Sequence, residues 1–181
     1  MPYDPQKHHR RSVRLPGYDY AQGGAYFVTI CAYHQACLFG SVDQNAEMRL
    51  NRYGQIVERA WQQVATLRRQ IETDVFVVMP NHVHGILIIH TPVGATLASP
   101  SNERPQGPPS GSLGAVVGGF KAADAREINR ARQTPGAPVW QRSFHEVIIR
   151  SEAVLNRLRQ YIDANPARWA EDRYYSSCLY G

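Results

Sequence analysis

The sequence predicts an α+β fold, with helices packed on a mainly antiparallel sheet. Three observations predict it. Runs of β-branched and aromatic residues at 25–33, 74–79, 82–90 and 144–150 read as strands. Stretches beginning near Asn51 and Ser151 repeat apolar residues at the helical period, and a further helix is expected from near Leu113. Two strand regions flank the first helix and one strand lies between the last two, the order of a sandwich with helices on one face of the sheet.

Each element has a local reason. Residues 1–22 gather Lys7, His8, His9, Arg10, Arg11 and Arg14 without a hydrophobic period. They read as an extended basic arm or as a disordered tail. Residues 25–33 (AYFVTICAY) form a buried strand, with shorter strands expected at 37–41 and 47–50. Asn51 is a helix cap for the stripe Ile56, Val57, Ala60, Trp61, Val64 and Leu67. Residues 74–79 (DVFVVM) and 82–90 (HVHGILIIH) flank the turn signal Pro80-Asn81, so an antiparallel pair is the economical arrangement.

Residues 91–112 (TPVGATLASPSNERPQGPPSGS) are dense in Pro, Gly and Ser. They read as a mobile loop inside one domain spanning 1–181, because neither half looks complete alone. A helix follows from near Leu113. Its Gly118 and Gly119 weaken it locally and either permit close backbone approach or mark a later start. Val139-Trp140 and 144–150 supply the last strand. Ser151 caps a helix through Ala164, with Val154, Leu155, Leu158 and Ile162 as its apolar stripe. Pro166 ends that helix or opens another through 174.

Composition narrows the class. No apolar run reaches the roughly 18 to 20 residues that span a bilayer. The N-terminus lacks the apolar core of a signal peptide, so the expected location is the cytoplasm, with no membrane partner. The three cysteines, Cys31, Cys37 and Cys178, have no zinc-finger spacing. A Cys31–Cys37 disulfide is sterically conceivable and disfavoured in a reducing compartment. The net charge is +5, with a pI near 9.3, and the only lysines are Lys7 and Lys121. Such an arginine-rich balance suits a polyanion such as nucleic acid, or reflects codon usage in a GC-rich genome.

The segment Met79-Pro80-Asn81-His82-Val83-His84-Gly85 carries the first chemical signal. On a strand, residues i and i+2 share a face, so His82 and His84 present two imidazoles side by side, with Gly85 leaving space beside them. Neutral imidazole is the commonest protein ligand for a divalent transition metal. The other reading is a pair of ordinary strand histidines, and a metal needs a third ligand. Arg159-Gln160-Tyr161-Ile162-Asp163-Ala164-Asn165-Pro166 offers one. Tyr161 and Asn165 are four apart, on one helix face. The amide oxygen is a metal ligand and the phenol a nucleophile toward a metal-bound phosphate. Equally, Tyr161 packs beside Leu158 and Asn165 caps the helix opened by Pro166.

Taken together, these residues resemble the HUH single-tyrosine transposases, named for a His-hydrophobic-His motif that His82-Val83-His84 matches. The resemblance covers nearly the whole chain. Residues 24–30 (GAYFVTI) look like the family's first strand, 117–121 (VGGFK) like its central helix, and Tyr161-Ile162 with Asn165-Pro166 like its nucleophile helix. Residues 10–20 (RRSVRLPGYDY) are similar to the REP-associated tyrosine transposase branch.

The resemblance implies a ferredoxin-like fold. It implies metal ligation by His82, His84 and Asn165, with Mg2+ or Mn2+ as cofactor. It implies Tyr161 as nucleophile, and single-stranded DNA, hairpin or palindromic, as partner. The product would be a 5′-phosphotyrosine link and a free 3′-hydroxyl. A monomer and a homodimer with an exchanged helix are both compatible. The Pro-rich 91–112 insert departs from the family pattern.

Arg10, Arg11 and Arg14 are the first DNA-contact candidates, followed by Lys121, Arg126, Arg142 and Arg150. Two rival functions stay open. One is a non-catalytic nucleic-acid-binding module. The other is a metal-dependent hydrolase that uses water.

Overall fold

A computed structural model of the protein describes residues 23–90 and 111–175. In chain order its elements are β1 (Gly24–Cys31), a 3-10 turn (Tyr33–Gln35), β2 (Gly40–Val42), β3 (Met48–Leu50), α1 (Arg52–Leu67), β4 (Ile71–Val78), β5 (His82–Ile89), α2 (Leu113–Ala131), β6 (His145–Ile149), α3 (Glu152–Ala164) and a second 3-10 turn (Pro166–Glu171). The expected basic arm, with Arg10, Arg11 and Arg14, lies outside the described residues. So does the expected loop as far as residue 110.

The main sheet has the order β4-β5-β1-β6, and all neighbours are antiparallel. One helix joins β1 to β4 and another joins β5 to β6. This β-α-β-β-α-β connectivity is the split arrangement of a ferredoxin-like sandwich. β2 and β3 form a separate hairpin.

Polar side chains start α1, α2 and α3. Asn51 Oδ1 accepts from the amides of Tyr53 and Gly54 at 2.8 and 3.0 Å. Ser112 and Ser151 hydroxyls accept from Ala115 and Val154 amides, both at 3.3 Å. Each cap satisfies an amide that the helix cannot.

Strand parity divides the sheet into two faces. Tyr26, Val28 and Ile30 of β1 and Val83, Leu87 and Ile89 of β5 belong to the main core with Ile56, Trp61, Val116 and Phe120 of α1 and α2. Phe27 and Ile86 belong to a second cluster around Ile162, with Leu155 and Leu158 packed against it. So α3 lies opposite α1 and α2, which corrects the expectation of helices on one face. The reason is that the second face also presents apolar side chains, Phe27 and Ile86, that need cover. Burying Ile162, now 1% exposed, contributes about 1.5–3 kcal/mol.

A second anchor fixes α3. Arg159 Nε and Nη2 lie 2.9 and 2.6 Å from Asp74 Oδ2. Asp74 sits where the β4–β5 register shifts, between Thr73 and Phe76. A bulge of this kind re-aims side chains, here toward the helix.

Several details differ from the sequence expectation. Gly85 makes no room beside the histidines. Parity turns it to the α1 face, where a Cβ would stand 2.2 Å from Trp61 Cζ2. α2 starts at Leu113, so its glycines are internal; a Cβ on Gly119 would meet Arg68 Nη2 at 2.6 Å. Trp140 forms an isolated bridge with Ala32, and the last strand begins at His145. Cys31 is a buried free thiol, so it has no disulfide to Cys37. Among the described residues no helix is long and apolar enough to cross a membrane.

Candidate active site

β5 delivers His82 and His84 to the α3 face of the sheet. Both are buried, at 0% and 2% exposure. Across β1 their register partners are Cys31 and Thr29. Each ring turns Nδ1 to a neighbour: His82 Nδ1 is 2.9 Å from Asn81 Oδ1, and His84 Nδ1 is 2.9 Å from Thr29 Oγ1. The two Nε2 atoms face each other at 3.1 Å. Phe27 stacks on His84 at 5.2 Å between centroids, and Tyr174 lies 4.8 Å from His82.

Burial holds His82 down at about 3, with the Arg173 charge adding to the shift. Burial and the neighbouring His82 push His84 well below its ordinary range. Both rings are therefore neutral at pH 7, the form that binds metal.

α3 brings Tyr161 over the pair. Its hydroxyl is 3.3 Å from His84 Nε2, and its ring is 40% exposed. Burial raises the phenol above its usual value, and the Asp172 charge adds to this; the Asn165 amide, Arg173 and Arg168 pull the other way. Asn165, one turn on, is 3% exposed. It stands at the junction of α3 and the Pro166–Glu171 turn but makes no side-chain capping bond. Its Oδ1 is buried without a hydrogen-bond partner. An orphaned buried acceptor costs about 1–3 kcal/mol, and a cation would relieve it.

The Pro166–Glu171 turn then carries the chain back to the histidines. One ligand atom from each of His82, His84 and Asp172 lies within 4.8 Å of the others. These residues fit a divalent ion. Two ligand atoms at right angles with bonds of about 2.1 Å stand about 3 Å apart, the spacing of the Nε2 pair. Two imidazoles, a carboxylate and an amide oxygen make a mixed nitrogen and oxygen set. Beside them, Tyr161, Asn165, Arg168, Glu171, Asp172 and Arg173 line an open cleft of about 220 Å3.

The fold thus brings together four of the residues singled out in the sequence: His82, His84, Tyr161 and Asn165. Lys121 and Arg126 belong to α2, which packs on the other face of the sheet. The Lys121 ammonium donates to the carbonyls of Gln141 and Ser143, both at 2.9 Å, and burial lowers it to about 8. Arg142 and Arg150 are exposed on the segments before and after β6.

Sequence reasoning missed Asp172, Arg168 and Arg173. The available signal was Pro166 directly after Asn165. A proline there signals a break in the helix, but not where the next residues land. It also missed Asn81 and Thr29, whose side chains orient the rings.

No family model matches the chain. A relative from Haemophilus influenzae, described as an uncharacterized protein, is 37% identical over 177 residues, which are 96% of this chain and 97% of that one. Among solved structures the chain is similar to a REP-associated tyrosine transposase bound to a REP hairpin. That likeness has a TM-score of 0.49 and 19% identity, and covers 86% of this chain and 73% of the other. It is also similar to a Deinococcus radiodurans protein provisionally assigned as a transposase, with a TM-score of 0.45 and 19% identity, over 83% and 95% of the two chains.

Proposed function

The chain belongs to the same family as that Haemophilus influenzae protein, and we propose that it is a metal-dependent endonuclease and strand transferase for single-stranded DNA, of the HUH single-tyrosine transposase kind. One observation carries the reading. The Tyr161 hydroxyl lies 3.3 Å from His84 Nε2, which is itself 3.1 Å from His82 Nε2. A phenol and two neutral imidazoles converge on one point, within one chain.

On this reading His82, His84 and a third oxygen ligand hold a divalent cation. Asn165 Oδ1 and the Asp172 carboxylate are the oxygens at hand. Two imidazoles favour Mn2+ over Mg2+, which prefers oxygen ligands and keeps its own waters. When bound, the cation withdraws charge from a phosphate oxygen and stabilises the charge of the transition state.

The remaining steps belong to the protein. Arg168 and Arg173 line the cleft and steer a DNA phosphate into it. The phenol of Tyr161 loses its proton and its oxygen attacks phosphorus in line. The 3′ oxygen of the preceding nucleotide leaves with the bonding electron pair and takes up a proton. The product is a 5′-phosphotyrosine ester and a free 3′-hydroxyl. The ester keeps the bond energy, so the same site can rejoin strands by the reverse attack. The phenol is raised above its ordinary value, so it depends on the cation for activation.

A second reading, a water-using metal hydrolase with Tyr161 in a structural role, is favoured by one observation. Asp172 stands beside the imidazoles, where it suits a general base. The deciding experiment incubates the protein with hairpin-tailed single-stranded DNA and Mn2+, followed by a denaturing protein gel. A covalent adduct in wild type, reduced by a factor of about 10^3 or more in Tyr161→Phe, supports the transferase. Cleavage that survives Tyr161→Phe selects the hydrolase. Salt-sensitive binding across a panel of palindromes, with no cleavage, selects a non-catalytic binding module.

The same assay reads the oligomeric arrangement. On the reading that one chain supplies the whole site, a mixture of Tyr161→Phe and His84→Ala proteins stays inactive. Recovery of adduct in the mixture would mean that helices are exchanged between two copies.

A further inference from the structure

The two histidines look alike but are held by different kinds of partner. Asn81 Nδ2 is 2.9 Å from the Tyr174 carbonyl and 3.1 Å from the Gln35 carbonyl. A carbonyl only accepts, so the amide nitrogen must face both of them. The amide oxygen therefore faces His82 Nδ1, at 2.9 Å. That oxygen also only accepts, so His82 carries its hydrogen on Nδ1 and leaves Nε2 bare. His84 Nδ1 meets instead the Thr29 hydroxyl, at 2.9 Å. A hydroxyl donates or accepts with equal ease.

We propose that Thr29 is a positioning residue whose hydroxyl follows His84 between two tautomers, while Asn81 holds His82 in one. The proposal rests on the metal reading above. In metal-stripped protein, two bare Nε2 lone pairs at 3.1 Å would repel, so one of them carries a hydrogen. Asn81 excludes His82, which leaves His84. Its Nε2–H donates to His82 Nε2, and Thr29 donates to His84 Nδ1.

With a cation bound, both Nε2 atoms must be bare. The Nε2 proton of His84 passes to solvent and solvent returns one to Nδ1. The ring stays neutral and no net proton is released. Thr29 now accepts from Nδ1–H, by rotation of one hydroxyl with no movement of either ring. Valine at position 29 does neither job and serine does both. An outer partner that orients a metal-bound histidine is typically worth about 10–100-fold in metal affinity.

The test is imidazole 15N spectroscopy of wild type, stripped and then loaded with Zn2+ as a diamagnetic probe. The expected result is His82 protonated on Nδ1 in both states, and His84 protonated on Nε2 when stripped and on Nδ1 when loaded. His84 in the same tautomer in both states overturns the proposal. Calorimetry with Mn2+ gives a second measurement. Thr29→Val should bind about 10–100-fold more weakly and Thr29→Ser close to wild type. Equal binding by all three overturns it as well.

Should Thr29→Val fail to fold, the wild-type spectra decide alone. A wild type that takes up neither cation sinks the metal reading instead. The stripped spectrum then still judges the assignment: His84 protonated on Nε2 supports it and on Nδ1 overturns it.

Discussion

Val83 and His84 are neighbours on β5 and almost equally hidden from solvent, at 0% and 2% exposure, yet the two faces they serve are held by different physics. Val83 shares its face with Gly85, Leu87 and Ile89, against α1 and α2. That face is stabilised by apolar area and shape: Trp61 fills the space that Gly85 leaves. His84 shares its face with His82, and there each ring is held through its Nδ1 by one polar partner, Thr29 or Asn81. Burial alone therefore does not sort core from site. Polar atoms with work left to do mark the site, and here those are the two facing Nε2 atoms with Asp172 beside them, and the unpartnered Asn165 oxygen.

The largest expected effect comes from mutating each face in turn. His84→Ala should abolish Mn2+ binding in calorimetry and the DNA adduct on a gel. Leu87→Ala should cost about 2–5 kcal/mol in urea unfolding and leave the Mn2+ dissociation constant of the folded protein unchanged. If Leu87→Ala weakens Mn2+ as much as His84→Ala does, the two faces are one unit and the comparison breaks.

Next in size is Gly85→Ala. Its methyl must displace the Trp61 indole, at a cost of about 1–3 kcal/mol. Because this strain falls on the α1 face, the metal dissociation constant should hold steady. A coupled loss of both would show that the strand transmits the clash.

Smallest per unit of change is a slope with pH on the face without the site. Asp124 of α2 is 1% exposed and accepts from Trp140 Nε1 at 2.6 Å. Burial pushes its carboxyl up from 3.8 to about 8. The folded protein thus holds a proton that the unfolded chain has already lost. This contribution is complete below the unfolded value and is lost as pH rises through the folded one. The expected slope is up to about 1.4 kcal/mol per pH unit across that window. Asp124→Asn keeps an acceptor for Trp140 and should flatten it, as read by urea midpoints at several pH values. A profile unchanged by Asp124→Asn would assign the slope elsewhere.

How much of this was legible in the sequence follows from distance along the chain. The His82-Val83-His84 parity and the Tyr161-to-Asn165 helical spacing are local, and both survived in the fold. The cap residues Asn51 and Ser151 are local too. Asp172 was not legible, because its role depends on a 3-10 turn doubling back onto a strand some ninety residues earlier. Asn81 looked like a turn residue, and its side chain gains a purpose only when Gln35 and Tyr174 arrive. Thr29 looked like one more β-branched strand residue. Lys121 looked like a free cation, and only the packing of the 141–143 segment shows its ammonium turned inward. Gly85 was assigned to the wrong side of the strand, although the parity that paired the histidines also decided that.

Asn81 ties the first half of the chain to the last stretch, and that sets an order on biosynthesis. The ribosome releases β1, β4 and β5, with both imidazoles, long before Tyr161, Asn165 and Asp172 have been made. A nascent chain at that stage lacks the phenol, the late oxygen ligands and the Tyr174 carbonyl that fixes the Asn81 amide. On the proposed reading, an unfinished or prematurely terminated copy has no means of nicking DNA. On that reading the capacity to cut arrives only with the residues from Tyr161 to Tyr174.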